Sequence, residues 1–546
     1  MAITHTVTST TRLLDVLATF DGDHRLQLFL TTAPGATTPD GVSEFLADLE
    51  VKVISWDEAR GREFDLAIAA ASSGPLHEIN APLMALPHGA GYNKYLKAES
   101  RKQKAESRKQ KTENRKQKAV YGLSRDQLLH DGEVVPSVVI LSHQEQLERL
   151  GEECPEALGR AVVAGDVCFD RLVASLPWRE DYRAALGLRP GQRLVVVSST
   201  WGPRSLLGED PGLIARLIAD LPVDEYLVAA VVHPNVWHGH SPWQVRAWLA
   251  DCRRAGLVVV PPREGWRAAL VASDLVIGDH GSVTLYGAAL GRPVLFGSFP
   301  ADAVDPRTAL AELGRHAAVI GDRPLAEQVD SAIAEHDPRT GARVADGAFA
   351  VQGRAAEILR AHLYRLMRLD PPAAWARTSP VPPCGPEPRP WADAEQPALL
   401  ATVTITRSPG RADFVVERFP AELADLRAAP LRANRHLVVD GTETDHRLRG
   451  LADIVVQRAE AHSRPAFDDR DDLVVAEARR DGECRLRLPG DGVLRLRADA
   501  AIDPSVLASA IYAWVAEGHP IAALPATLST RLGRVEFPFT GERVSG

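Results

Sequence analysis

Cysteine, methionine and lysine are all scarce in this 546-residue chain. The five cysteines (Cys154, Cys168, Cys252, Cys384, Cys484) are dispersed, form no Cys-x-x-Cys pair and have no histidine spaced as a zinc partner. That excludes a disulfide frame and a familiar zinc site, and it fits reduced thiols in a cytoplasmic protein. The longest uncharged apolar runs are short, Tyr226–Val232 among them, where a membrane span needs about 20 residues. Met1–Phe20 is Thr-rich and lacks the basic start and long apolar core of a secretory leader. No Gly-Lys pair occurs, so the phosphate loop of GTPase-type factors is missing.

Seven of the nine lysines lie in residues 97–118, a tract of net charge +7 in a chain of net −9, so the remaining residues carry −16. The tract is a tandem repeat, AESRKQK at 98–104, AESRKQK at 105–111 and TENRKQK at 112–118. Its period of seven has no large apolar position, and a coiled coil needs a buried seam. A solvated insertion is the expectation, with at most peripheral attraction to an anionic polymer or a membrane surface. Nucleic-acid binding has no other support in a chain this acidic.

Apolar residues make up 45% of the chain and charged residues 25%, as in ordinary globular proteins. Leu26–Thr31, Val51–Ser55, Asp65–Ala70, Leu83–Leu86, Val138–Leu141 and Ala161–Ala164 are strand-like, with helix-like or turn-rich segments between. A second series follows Pro177: Arg193–Ser198, Tyr226–Val232, Leu257–Val260, Asp274–Ile277 and Pro293–Phe296, closed by a helical stretch near Gln352–Arg368. Near-continuous apolar strands alternating with amphipathic segments indicate parallel sheets covered on both faces. The expected fold is therefore α/β: two doubly wound, Rossmann-like lobes of GT-B type at 1–178 and 179–368. Residues 371–397 hold nine prolines and should form an extended linker. Residues 398–546 should form an α+β domain, with a hairpin closed by Pro489–Gly492 and a helix capped by Asp503 with Pro504 at its first position.

Three stretches could carry chemistry. Pro87-His88-Gly89-Ala90-Gly91-Tyr92-Asn93-Lys94 follows the strand Leu83–Leu86, where open α/β sheets bind ligands. An imidazole there can accept a proton from a hydroxyl near neutral pH, and glycines allow close backbone approach; the plain alternative is a structural histidine in a turn. His233-Pro234-Asn235 stands at the end of Tyr226–Val232. His238 and His240 lie nearby, but nothing completes a metal ligand set, so no metal is expected. The third, Asp279-His280-Gly281-Ser282-Val283-Thr284, joins a strand to a helix. Its free N–H groups, hydroxyls and helix dipole suit a phosphate, with an ordinary Ser282 N-cap as the alternative.

At these stretches the chain resembles the CDP-glycerol glycerophosphotransferase family of teichoic-acid polymerase type and, more distantly, the UDP-N-acetylglucosamine 2-epimerases. Gly165-Asp166-Val167-Cys168-Phe169-Asp170 and Ser199-Thr200-Trp201 match further short motifs in the same order. The resemblance implies transfer of a glycerophosphate or glycosyl group from a CDP or UDP conjugate to a hydroxyl, with no permanently bound cofactor. It implies His88 as base, Gly89, Gly91 and Lys94 on the acceptor side, and His233, His280, Gly281, Ser282, Val283, Thr284, Thr200 and Arg204 around the donor. The acidic residue usual in the following helix is absent, since Thr284-Leu285-Tyr286-Gly287 stands there. A catalytically inactive binding or regulatory protein, or an epimerase or hydrolase on the same scaffold, are the alternatives.

Overall fold

The computed structural model describes residues 1–546 except 36–38, 97–118, 375, 386–396, 429–433, 444, 459–473, 479–482, 490–491, 499–501 and 545–546. The basic repeat and the later part of the proline-rich stretch thus lie outside the described residues. The first sheet contains β1 (Ala2–Thr4), β2 (Leu30–Thr32), β3 (Ala67–Ala69), β4 (Leu83–Ala85), β5 (Val138–Leu141) and β6 (Ala161–Val163). They run parallel in the order β2-β1-β3-β4-β5-β6, with Ala2 in register with both Leu30 and Ile68. The stretch read as a strand at Val51–Ser55 contributes only a bridge from Val53 to Leu30. Helix α1 (Val7–Leu17) leaves β1 directly, and α2 (Val167–Ser175) follows β6.

The second sheet contains β7 (Arg193–Ser199), β8 (Tyr226–Val232), β9 (Val258–Val259), β10 (Leu275–Gly278), β11 (Val294–Phe296) and β12 (Ala318–Val319). Its parallel order is β9-β8-β7-β10-β11-β12. β7 and β8 pair along seven residues, Tyr226 to Val232 against Arg193 to Ser199. Helices α3 (Pro234–His240) and α4 (Ser282–Ala289) leave the ends of β8 and β10. Each sheet reverses its strand order once, between β1 and β3 in the first and between β7 and β10 in the second. Crevices at such reversals are where doubly wound sheets take ligands.

Two boundaries differ from the sequence expectation. Helix α5 (Ala355–Leu366) buries Ala355, Leu359, Leu363 and Tyr364 in the core of the first lobe, not the second. The proline-rich stretch is extended, but its described part is strapped down: Val381 is buried in second-lobe core, its amide donating to Ser175 Oγ at 2.9 Å.

The C-terminal α+β region is a closed barrel. Its strands are β13 (Leu399–Ser408), β14 (Arg411–Pro420), β15 (His436–Asp440), β16 (Ile454–Arg458), β17 (Val474–Ala478), β18 (Glu483–Leu488), β19 (Gly492–Ala498), β20 (Thr527–Leu532) and β21 (Val535–Val544). They close in the order β13-β14-β20-β21-β19-β18-β17-β16-β15, with Leu399 to Ala401 pairing back onto His436 to Val438. Helix α6 (Pro504–Ala516), apolar all round and capped by Asp503, fills the core. The barrel docks firmly on the second lobe. Leu423 enters that lobe's core, and buried Arg418 bonds Asp224 at 2.8 and 2.7 Å and Asp503 at 2.7 Å.

Candidate active site

The C-terminal ends of the strands of both sheets face one cavity of about 480 Å³ between the lobes. His88, Gly89, Gly91, Lys94, Thr200, His233, His280, Gly281, Ser282 and Val283 all line it. Arg204 and Thr284 do not. Arg204 pairs with Asp302 on the surface, at 3.1 Å for one contact. Thr284 is fully buried, its side chain packed over Gly278 beneath the turn. Both positions were read from proximity in sequence, which cannot tell an inward from an outward side chain on a turn.

On the first lobe, β4 ends at Ala85 and the turn after it carries His88. Gly91 adopts φ +78°, and a Cβ there would lie 2.6 Å from both Ser142 Oγ and Gln146 Nε2. Only glycine fits so close an approach in the left-handed region. His88 is half-buried, and its pKa is pushed down to about 4, first by burial and then by Lys94, Arg12 and His5. It is therefore neutral at pH 7 and able to accept a proton.

On the second lobe, His233 caps α3, its Nδ1 accepting from Asn235 N at 3.0 Å. In the neutral ring the proton must then sit on Nε2. Burial, followed by Lys94 and His88, lowers the pKa of His233 to about 3. Asp279 is fully buried and organises the neighbouring loop: Oδ2 accepts from Thr200 N at 2.8 Å, Thr200 Oγ1 at 2.6 Å and Leu206 N at 3.0 Å. Gly281 is the N-cap of α4 and Ser282 its first residue, so Ser282 is not the capping side chain. Instead its Oγ accepts from Ala90 N at 3.1 Å, and a Cβ on Gly89 would come within 2.4 Å of that oxygen. The two turns touch across the cleft.

Sequence inspection missed the N-terminal contribution. His5, Thr6, Thr8 and Arg12, from the end of β1 and the start of α1, line the cavity, as do Trp201, Trp266 and Tyr286. Thr6 and Ser9 form a capping box, with Thr6 Oγ1 accepting from Ser9 N at 3.0 Å. That pair was the available signal, together with the apolar spacing of Leu13, Val16 and Leu17. Beneath the cavity a buried charge network joins the lobes. Arg12 donates to Asp166 at 2.8 Å and to the Tyr286 hydroxyl, which itself donates to Asp166 at 2.8 Å. Asp15 accepts from Arg267 at 2.7 Å and from Arg171. Tyr286 thus occupies the helix turn where an acidic residue was sought. Gly287 cannot supply one, since a Cβ there would lie 2.8 Å from Val276 Cγ2.

Among the described residues the cavity has no carboxylate in its lining, which includes Arg12, Lys94, Arg263, Arg267 and four histidines. The first turns of α4 and α1 line it as well. Such a chamber suits an anion. No group of three His, Cys, Asp or Glu side chains that could hold a metal occurs among the described residues. No helix among them is long and apolar enough to cross a membrane.

The molecule is therefore a two-lobed α/β protein of two Rossmann-like parallel sheets, with a cleft lined by cationic side chains between the lobes and a docked barrel. No family model and no curated protein matches the chain. Among solved structures it is similar to the wall teichoic acid polymerase TagF, at 11% identity over 67% of this chain and 88% of that one, with a TM-score of 0.43. It is also similar to S. aureus MnaA with UDP, at 11% identity over 69% and 99% with a TM-score of 0.40. A glycosyltransferase from Rickettsia africae ESF-5 matches at 11% identity over 67% and 98%, with a TM-score of 0.36.

Proposed function

We propose that the protein is a transferase that moves a glycerophosphate or glycosyl group from a nucleoside diphosphate conjugate to a hydroxyl acceptor. The observation that carries this reading is the carboxylate-free chamber between two sheet reversals, with a neutral histidine on the first lobe opposite a helix N-terminus on the second. The acceptor oxygen forms the new bond to the transferred group while its proton passes to His88. The bond from that group to the nucleotide's phosphate oxygen breaks, and the phosphate keeps the electron pair. His233 Nε2–H, Lys94 and the amides at Gly281 to Val283 face the charge that develops on that phosphate. CDP and UDP conjugates are the donors to test, as substrates rather than resident cofactors.

A thermal-shift series with CDP, UDP, GDP and ADP and their conjugates tests the reading. A ligand at 100 times its dissociation constant should add about 2.7 kcal/mol of stability. If no nucleotide shifts the melting temperature at millimolar concentration, the transferase assignment is wrong.

A further inference from the structure

The lobes meet on two sides of the cavity, and the two seams are built differently. On one side stands the helix Pro39–Asp48, which follows β2 at the edge of the first sheet; facing it is Arg263, which follows β9 at the edge of the second. Arg263 pairs with Asp48, lies 4.0 Å from Glu44 and holds its guanidinium over the Phe45 ring at 5.6 Å. Both carboxylates are open to water, with 65% of the Glu44 and 61% of the Asp48 side chain exposed. Among the described residues no backbone hydrogen bond crosses this seam. On the other side, residues 93–95 run antiparallel to residues 303–305 of the second lobe. Tyr95 N donates to Ala303 O at 3.1 Å and Asp305 N to Asn93 O at 2.9 Å. Behind this ribbon, alternating charges run from Glu145 through Arg149, Asp305 and Arg307 to Glu152, with Arg149 and Asp305 buried at the centre. Two passages of the chain between the lobes are pinned beside β5 and β6 as well. Ala350 N donates to Ser142 O at 2.7 Å, and a Cβ on Gly165 would lie 2.4 Å from Ala350 O.

Breaking a buried, hydrogen-bonded charge pair costs several times what an exposed pair is worth. The ribbon seam, and the Arg12–Asp166 and Asp15–Arg267 pairs beneath the cavity, therefore hold under conditions that part the Arg263 seam. We propose that the molecule opens on one side only, pivoting on the ribbon of 93–95 with 303–305, while Arg263 with Glu44 and Asp48 forms the latch. Salt screens an exposed pair and hardly touches a buried one, so the latch loosens as ionic strength rises. Arg263 lines the cavity, and releasing it uncovers the chamber at that edge. That the opening admits a nucleotide conjugate rests on the transferase reading above; the latch and the pivot do not.

Amide hydrogen exchange of the full chain without ligand, read residue by residue by mass spectrometry, tests this. An amide bonded across the cleft exchanges when its bond breaks, so its rate follows the open population. The Ala90 amide, bonded to Ser282 Oγ in mid-cleft, should exchange about tenfold or more faster than those of Tyr95, Asp305 and Ala350. Raising salt from about 0.1 M to 1 M should speed Ala90 and leave the other three unchanged. Glu44→Gln/Asp48→Asn should speed Ala90 by up to about fivefold, the worth of an exposed pair, again without effect on the others. Glu152→Gln removes an exposed carboxylate of the same kind on the opposite side and should leave Ala90 at the wild-type rate. Exchange at Tyr95 and Asp305 as fast as at Ala90 overturns the pivot. An unchanged Ala90 rate in the double variant, or equal acceleration by Glu152→Gln, overturns the latch. CDP and UDP are then mixed with wild type and the double variant by stopped flow. If neither nucleotide binds while the exchange pattern holds, the transferase reading falls and the latch stands; if both bind and the pattern is absent, only the latch and pivot fall.

Discussion

Each lobe is a six-stranded parallel sheet that reverses its order once, after two strands in the first lobe and after three in the second, and the lobes differ further in how their strands are made. β7 and β8 of the second lobe are seven residues each and buried along nearly their whole length. β1 to β4 of the first lobe are three residues each. A long apolar run declares itself, because only a strand in a doubly covered sheet can bury it. A three-residue strand has no such signature and forms because its neighbours are in place, as Ala2 does between Leu30 and Ile68. The lobes also bring different groups to the cavity, His88 and Lys94 from the first and His233 with the 281–283 turn from the second, and Ala90 N to Ser282 Oγ joins the two sides.

The sharpest way to break this comparison is to remove one histidine from each lobe. His88→Ala should lower turnover by about 10²- to 10⁴-fold and leave donor affinity nearly unchanged, since a base acts mainly in the transition state. His233→Ala should weaken donor binding as well as rate. Calorimetry of the donor with both variants checks this, and the opposite pattern would reverse the roles of the lobes.

A second test cuts the link between the lobes. Asp166→Ala leaves buried Arg12 without its carboxylate partner and should cost about 3–5 kcal/mol, because an unpaired buried charge is severely penalised. Urea denaturation measures the loss. Near-wild-type stability would mean that Asp166 adds little to the network, leaving the lobes joined by Asp15–Arg267, Ala90–Ser282 and apolar contact.

A third test concerns pH dependence. His88 and His233 titrate in the folded protein near pH 4 and 3, against about 6.5 when unfolded. As pH falls from about 6.5 towards 4, the unfolded chain takes up protons that the folded one refuses, so stability falls across that window. Each histidine contributes a slope of at most about 1.4 kcal/mol per pH unit. Thermal melts of wild type and of His88→Gln/His233→Gln should show the shallower slope in the variant. Identical slopes would place both rings in open water.

His88, His233 and the 279–284 turn were legible because a histidine or small-polar turn at the end of an apolar strand falls where such sheets bind ligands. Arg204 was not, since its direction depends on Asp302, 98 residues away. His5 and Thr8 were invisible for the same reason: nothing within the first 20 residues indicates that Ser73 and the second lobe will close over them.

By itself the sequence determined the two alternating series, the Asp503 cap of α6 and the chemistry available at each strand end, because these depend on residues within a few positions of one another. The return of α5 to the first lobe was decided only in three dimensions, and so was closure of the barrel through β13 and β15. Likewise β14 pairs with β20 more than a hundred residues later, Arg411 against Thr527. Such pairings bury surface that no local pattern can assign to a partner, and the chamber between the lobes exists only once they are made.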